Sequence, residues 1–136
     1  MIFAHGSASS RHSPRNQFVA RVIRGPGNGS LLCDLLSAEE EIGNNVTRSL
    51  RFDIGLLASR LAEATRWLVV QLATRDLGIG YFGSSIGGGE ALVAAAEVGQ
   101  RIDAVVSCGG RPDLAGDALP RVQSRRCSSW VDTMTR

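Results

Sequence analysis

Apolar residues along this chain fall into two kinds of run, short continuous ones and longer ones with a helical period. The short runs cover residues 1–5, 30–36, 78–83 and 102–107, and they are apolar at nearly every position. Such runs are typical of strands buried on both faces of a parallel sheet. Helical patterns separate them, so we predict a three-layer α/β/α fold with a mainly parallel sheet of about four strands and three helices.

The three helices predicted between the strands cover residues 14–24, 52–72 and 91–98. Ser13 and Pro14 form a typical N-cap and first position for the first helix, and the Gly- and Pro-rich residues 25–29 end it. Asp53 suits the start of the long second helix, because a carboxylate is stabilised by the positive end of the helix dipole. We interpret residues 38–49 as mostly loop with some helix.

The composition is that of one soluble domain, and it argues against nucleic-acid and membrane partners. With 136 residues, 43 % of them hydrophobic, the chain can build a packed core. No apolar run approaches the roughly 18–20 residues of a membrane helix, and no signal peptide is visible. All 15 basic residues are arginines, and the positive excess lies in residues 121–136. Aromatic residues make up 5 % and do not interleave with the arginines, so we predict neither a nucleic-acid nor a membrane partner.

The cysteines Cys33, Cys108 and Cys127 are widely spaced and contain no CxxC pair. This spacing supports neither a zinc site nor a thioredoxin-like motif. We interpret two of them as buried thiols in strands and the third as part of the tail. Free thiols are typical of the cytosol, so we predict a cytoplasmic protein.

Residues 83–87 (GSSIG) fit the pattern G-x-S-x-G between a predicted strand and a predicted helix. That position is the setting of a nucleophile elbow, a sharp turn that holds a serine above the carboxyl edge of a sheet. Ser85 is therefore the predicted nucleophile. The backbone N–H of Ile86, at the start of a helix, is a predicted donor to an oxyanion. Ser7, in the loop after the first strand, is the predicted second backbone donor.

Two alternatives to a nucleophile remain open at this turn, a phosphate cradle and a plain tight turn. Residues 87–89 are three glycines that suit a phosphate, but the Walker and dinucleotide patterns are both missing. His5 and His12 precede Ser85, whereas the base of such enzymes follows the nucleophile in chain order. We therefore interpret both histidines as structural.

Three further aspartates are candidates for other roles. Asp34 could point into the site or cap the segment that follows it, and we favour the cap. Asp113 and Asp117 lie in a loop, where carboxylates are usually solvated.

Six segments of the sequence together resemble the α/β-hydrolase superfamily, and more narrowly the dienelactone-hydrolase-like bacterial proteins. The segments are IFAHGS at 2–7, SSRHSPRNQFVA at 9–20, LLCDLL at 31–36, RFDIGLLASRLAEAT at 51–65, GYFGSSIGGGEALVAAAE at 80–97 and VVSCGGRPDLAGDALPRV at 105–122. The second and the last are more specific to this subgroup than G-x-S-x-G alone. The resemblance covers nearly all of residues 1–122, which we predict to be a partial α/β-hydrolase core.

The resemblance implies hydrolysis of esters or lactones by a nucleophile–acid–base triad without a metal or organic cofactor. Ser85 matches the nucleophile of the family, and Ile86 and Ser7 match its oxyanion donors. Domains of this kind sometimes occur fused to a phosphoribosyltransferase. The family also has two strands before the run at residues 1–5, a later strand of the type PTLLIVGG-x-D that bears the acid, and a histidine after it. No histidine follows Ser85 in this sequence, so we expect little or no turnover.

Residues 125–136 (RRCSSWVDTMTR) show no apolar period, and we expect residues 123–136 to be a disordered, non-native-looking tail. Their implied codons, read one nucleotide upstream, can spell P-T-L-L-I-V-G-G-Y-D-D, the acid-bearing strand of the family. We therefore hypothesise a frameshift from about Arg125, which resequencing of the locus would test.

Two function classes follow from these observations. The first is a serine hydrolase whose substrate is a small ester or lactone, impaired in this chain. The second is a non-catalytic remnant or interaction module that self-associates through exposed sheet edges. A phosphate-binding α/β domain is a third, weaker alternative.

Overall fold

A computed structural model describes residues 1–6, 9–124 and the backbone of residues 126–130. Its strands are β1 (Ile2–Ala4), β2 (Leu31–Leu32), β3 (Ile79–Ser84), β4 (Ile102–Cys108) and β5 (Arg126–Trp130). Its helices are α1 (Pro14–Arg24), α2 (Ala38–Thr47), α3 (Ile54–Val70) and α4 (Ile86–Val98). Short 3₁₀ segments cover Leu50–Phe52, Gly99–Arg101 and Pro112–Arg121.

The strands form one parallel sheet in the order β2-β1-β3-β4-β5. β3 is central, so the turn that follows it lies in the middle of the carboxyl edge of the sheet. The predicted α/β fold with a parallel sheet is confirmed. Among the described residues, no helix is long and apolar enough to cross a membrane.

Two apolar clusters cover the two faces of the sheet. The larger one joins the sheet to α3 and α4 and includes Leu57, Leu61 and Tyr81. The smaller one lies under α1, where the rings of Phe3 and Phe82 are 5.1 Å apart. The central strands are therefore buried on both sides, which explains their continuous apolar sequence.

Three element boundaries differ from the sequence-based prediction. The second strand is limited to Leu31–Leu32, and the acidic segment after it forms a full helix, α2. Ser37 and Glu40 form a capping box at the start of α2, which satisfies backbone N–H groups that a loop would leave to water. α4 begins at Ile86 rather than near residue 91, because its glycines form a first turn that packs against the strands.

The tail also differs from the prediction, because residues 126–130 form β5 rather than a disordered segment. β5 pairs in parallel with β4, from Ala104 beside Arg126 to Cys108 beside Trp130. The outer edge of β4 offers regularly spaced N–H and C=O groups. An extended backbone can pair with these groups regardless of the side chains that it carries. Residues 125 and 131–136 lie outside the described residues, and the frameshift stays a hypothesis.

The two described cysteines are free and half-buried rather than fully buried. Cys33 directly follows β2, where burial, with a smaller effect of the neighbouring Asp34 charge, raises the pKa of its thiol. Cys108 ends β4, and a nitrogen of Arg15 lies 3.6 Å from its sulfur. The side chain of Cys127 lies outside the described part of the chain.

Candidate active site

Ser85 occupies a strained turn between the end of β3 and the start of α4. Its backbone angles, φ 54° and ψ −125°, lie in a region that L-residues other than glycine rarely adopt. Its side chain is exposed at the carboxyl edge of the sheet. This is the strand–turn–helix geometry that the G-x-S-x-G pattern predicts, and such strain is concentrated at functional sites.

The glycines on both sides of Ser85 allow this turn to close. A Cβ atom added to Gly83 would overlap the carbonyl oxygen of Gly87. A Cβ atom added to Gly87 would overlap the carbonyl oxygen of Ala4, at the end of β1. The pattern therefore requires glycine at both positions, because β3, β1 and α4 approach one another there through backbone atoms alone.

The loop after β4 fixes the peptide groups of Ser85. The Ser85 N–H donates to the carbonyl oxygen of Cys108 at 3.3 Å, and the Ser85 carbonyl oxygen accepts from the N–H groups of Gly88 and Arg111, each at 3.1 Å. The G-x-S-x-G pattern does not indicate this contribution of residues 108–111. The paired glycines at 109 and 110 are a signal that could have indicated it, since a Cβ atom on Gly110 would overlap the Ser107 hydroxyl.

Ile86 is the first residue of α4, so its N–H has no acceptor within the helix. It lies at the positive end of the helix dipole, directly after Ser85, where a developing oxyanion would be stabilised. Ser7, the other predicted donor, lies outside the described residues. Its neighbour Gly6 lies against the turn, because a Cβ atom added to Gly6 would be 3.7 Å from the Ser85 Cβ.

Both ring nitrogens of His5 are engaged in contacts that hold loops. The Leu35 N–H donates to Nε2 at 3.0 Å, and Nδ1 lies 3.2 Å from the carbonyl oxygen of Gly6. These contacts fit the neutral tautomer with its proton on Nδ1. The structural interpretation of His5 agrees with this geometry. His12 lies in the exposed loop before α1, and its Nε2 is 3.2 Å from the Arg11 Nε.

The candidate aspartates are engaged in local structure. The favoured interpretation of Asp34 as a cap is wrong, because Ser37 is the N-cap of α2. Asp34 instead accepts from the Arg11 N–H at 2.8 Å and so fixes the loop before α1. Asp53 caps α3 as predicted, with the Leu56 N–H at 2.9 Å. The Arg111 guanidinium holds Asp113 at 2.7 Å and lowers its pKa. Asp117 is exposed.

Within the described part of the chain, no side chain hydrogen-bonds to the Ser85 hydroxyl. No group of three or more His, Cys, Asp or Glu residues there could hold a metal ion. The described site therefore consists of a strained serine, a free helix N–H and the loop after β1.

Glu90, on α4, is the buried charged residue that sequence analysis missed. Its side chain is fully buried, and neither carboxylate oxygen has a hydrogen-bond partner among the described residues. Burial raises its pKa from 4.5 to about 8. The signal in the sequence is a single acid within the small, apolar run GGGEALVAAA, where no exposed face is left for a charge.

A parallel three-layer α/β sheet with a strained serine between its central strand and a buried helix is the arrangement in which α/β hydrolases hold their nucleophile. A solved relative confirms the narrower resemblance. The chain is 57 % identical to the dienelactone hydrolase of Anabaena variabilis ATCC 29413, with a TM-score of 0.90 over 94 % of this chain and 60 % of that one. The resemblance to dienelactone-hydrolase-like members of the α/β-hydrolase superfamily is thus confirmed.

Two curated relatives carry a different name. The chain is 57 % identical over 122 residues to proteins from two strains of Mycobacterium tuberculosis, CDC 1551 / Oshkosh and H37Rv, both provisionally named phosphoribosyl transferases. The match covers 90 % of this chain and 27 % of each relative. No protein-family model matches the chain.

Proposed function

We propose that this chain carries the nucleophile of a hydrolase that acts on small ester or lactone substrates, with Ser85 as that nucleophile. The observation that carries the proposal is the strained, exposed turn at Ser85, held between two glycines that admit no side chain. The similarity to a dienelactone hydrolase supports the same chemistry.

The reaction that we propose is acyl transfer to water. The Ser85 oxygen attacks the carbonyl carbon, and negative charge develops on the carbonyl oxygen. The N–H groups of Ile86 and Ser7 would donate to this oxyanion, which lowers the barrier because the donors are already oriented. The C–O bond to the alcohol then breaks, the alcohol leaves with the proton of the Ser85 hydroxyl, and an acyl-enzyme remains. Water adds to the acyl carbon, the bond to the Ser85 oxygen breaks, and the carboxylic acid is released as Ser85 takes back a proton. None of these steps needs a metal or organic cofactor.

A base is the missing part of this scheme. The chain has two histidines, of which His5 holds two loops and His12 is bound to Arg11. The chain spans 60 % of the solved dienelactone hydrolase, and we propose that the base and acid of a complete enzyme belong to sequence outside this match. An unactivated serine hydroxyl is a weak nucleophile, and we expect little or no turnover from residues 1–136.

A fluorophosphonate probe with added imidazole tests the proposal. Without imidazole we expect weak labelling. Imidazole supplies a diffusing base and should increase labelling at Ser85. Ser85→Ala should abolish that increase, whereas Ser84→Ala, at the buried neighbour, should keep it. Equal imidazole-dependent labelling of Ser85→Ala and the unchanged chain would refute Ser85 as the nucleophile. Robust labelling without imidazole would refute the expectation of an unactivated serine.

The name of the curated relatives offers phosphoribosyl transfer as a second candidate. The chain matches 27 % of those proteins, and fused domains of this kind occur in the family that the sequence resembles. We propose that the transferase reaction belongs to the remainder of the relatives. Transfer of a labelled phosphoribosyl group by this chain alone would contradict that assignment.

A non-catalytic interaction module is the competing class. The short β2 forms one edge of the described sheet, and an unpaired edge can bind another strand. This class predicts self-association, which light scattering would detect. A monodisperse, protease-resistant monomer would argue against it. A cytoplasmic location is a further proposal and rests on the free cysteines.

A further inference from the structure

Helix α2 lies on the surface with its apolar side turned toward solvent. Ala38, Ile42 and Val46 are spaced four residues apart along the helix, so they share one face. Ile42 is 70 % exposed and Val46 is 86 % exposed. A surface helix normally turns such a face toward the core. The reversed orientation of α2 therefore indicates that another surface covers this face.

Polar contacts hold α2 in this orientation. Asn44 is the buried residue of the helix, and its side-chain oxygen accepts from the Arg51 N–H at 3.2 Å. Glu40 pairs with the Arg60 guanidinium at 2.8 Å. These contacts attach the polar side of α2 to the protein and leave its apolar side in solvent.

Helix α1 has an exposed apolar pair of the same spacing. Phe18 and Val22 are one turn apart, and they are 58 % and 60 % exposed. Val19, Ala20 and Ile23, on the other side of α1, pack against the sheet. α1 is therefore apolar on two sides, of which the protein covers one.

The two helices carry opposite charges. α1 contains three arginines and no acidic residue, whereas α2 contains three glutamates and no basic residue. Arg21 is exposed one turn after Phe18, and Glu39 is exposed one turn before Ile42. Within the described part of the chain, neither Arg21 nor Glu39 forms an ion pair. The outward face of α1 thus complements the outward face of α2 in charge, and both faces are apolar at their centre.

We propose that two copies of this chain form a symmetric dimer, in which the outward face of α1 in each copy packs against the outward face of α2 in the other. The apolar pairs form the centre of each contact, and the arginines of α1 lie near the glutamates of α2. Two helix pairs make an interface at the small end for specific complexes, so we expect a dissociation constant in the micromolar range.

The positions of the two helices suit a reciprocal contact. Residues 25–30 join α1 to the edge strand β2, and residues 33–37 join β2 to α2. The loops that lead into the two helices are bonded to each other, because the Arg11 N–H donates to the Asp34 carboxylate at 2.8 Å. Both helices therefore start at the same corner of the molecule. A twofold axis at that corner brings both contacts together, which is the closed arrangement typical of dimers.

This contact uses neither the backbone edge of β2 nor the turn at Ser85. It therefore differs from association through sheet edges, and it leaves the proposed nucleophile accessible.

Sedimentation equilibrium of the full chain, from about 1 μM to about 500 μM, tests the proposal. We expect a reversible dimer. Ile42→Ser and Phe18→Ser should each weaken it about tenfold or more, because each removes an apolar group from the centre of a contact. Both side chains are exposed in the monomer, so the variants should fold, which circular dichroism checks. Leu72→Ser is the matched control, because Leu72 is 82 % exposed and lies in neither helix, and it should leave dimerisation unchanged.

Reversal of single charges tests the pairing of α1 with α2. Arg21→Glu and Glu39→Arg should each weaken dimerisation about fivefold, because each places like charges together. An equimolar mixture of the two variants should dimerise as tightly as the unchanged chain. In the mixed dimer the substituted α1 faces the substituted α2, and the two unchanged helices face each other, so opposite charges meet at both contacts.

Three results would overturn the proposal. A chain that stays monomeric over the whole concentration range would leave the two faces to a partner of another kind. A dimer that is unaffected by Ile42→Ser and by the two charge reversals would point to the edge of β2. A dimer lost in Leu72→Ser would place the contact elsewhere. If Phe18→Ser fails to fold, Ile42→Ser and the mixed charge variants decide the question.

Discussion

The buried carboxyl group of Glu90 makes the stability of this domain depend on pH. In the folded chain its pKa is raised by burial from 4.5 to about 8, and its oxygens have no partner among the described residues. The folded state therefore binds a proton that the unfolded state has released over this pH range. Stability must then fall as the pH rises from about 4.5 to about 8, because the unfolded state holds fewer protons.

The size of the effect follows from the two pKa values. Each pH unit inside the window lowers the free energy of unfolding by about 1.4 kcal/mol. Across the whole window the loss is about 5 kcal/mol, which is comparable to the total stability of many small domains, about 5–15 kcal/mol. Glu90→Gln keeps the shape of the side chain and has no charge to gain. We expect this variant to lose the dependence of its stability on pH that the Glu90 carboxyl group causes.

The free energy of unfolding can be measured by urea unfolding, monitored by circular dichroism, at several pH values between about 5 and about 8. The unchanged chain should lose stability across the series, and Glu90→Gln should stay more stable at the alkaline end. Comparison of the two proteins at each pH cancels the titration of all other groups. Glu97→Gln, on the same helix but partly exposed, is the matched control and should keep the full dependence. A difference between the unchanged chain and Glu90→Gln that stays constant with pH would refute the reasoning.

Three further perturbations follow from the structure. Gly87→Ala should destabilise the domain by about 3 kcal/mol or more, because its Cβ would overlap backbone atoms. Gly43→Ala should stabilise the domain by about 1 kcal/mol, because a Cβ at this position of α2 meets no other atom and alanine favours a helix. Thermal unfolding of the two variants checks both values. Ser85→Gly should stabilise the domain by about 1–2 kcal/mol, since glycine adopts its backbone angles without strain, and an unchanged urea midpoint would contradict this. Thr65→Val should lower the free energy of unfolding by about 1–3 kcal/mol, because the buried hydroxyl of Tyr81 loses its hydrogen-bond partner at 2.5 Å. A double-mutant cycle with Tyr81→Phe should show coupling between the two positions, and strictly additive effects would argue against the hydrogen bond.

The parallel sheet and the turn at Ser85 could be predicted because their causes are local. Continuous apolar runs indicate buried strands, and the two glycines around Ser85 are required by contacts within a few residues or with one neighbouring strand. The cap at Asp53 is equally local. These features have a recognisable spacing in the sequence, although the contact that requires glycine at 87 is made with Ala4 on a neighbouring strand.

The remaining features depend on contacts that spacing does not encode. Asp34 is bound to Arg11, which lies 23 positions away in the chain, so its own neighbours gave no hint of the partner. The burial of Glu90 follows from the packing of the first part of α4, and the apolar run around Glu90 indicates it only indirectly. β5 depends on the free edge of β4 rather than on its own residues. Under the frameshift hypothesis, the upstream reading frame can spell T-L-L-I-V at the same five positions, 126–130.

The hydrogen bonds from Cys108 and Arg111 to Ser85 also set an order for folding during synthesis. The strained backbone at Ser85 is held by residues that follow it by more than twenty positions, after the whole of α4 and β4. When α4 has emerged from the ribosome and β4 has not, the serine is outside the ribosome without the groups that hold it. Strain of this kind persists only when the surroundings over-determine it, so the turn should relax to an ordinary conformation until the chain has emerged past Arg111. The geometry of the proposed nucleophile would therefore form only after β4 has emerged, with the docking of β4 as the step that sets it.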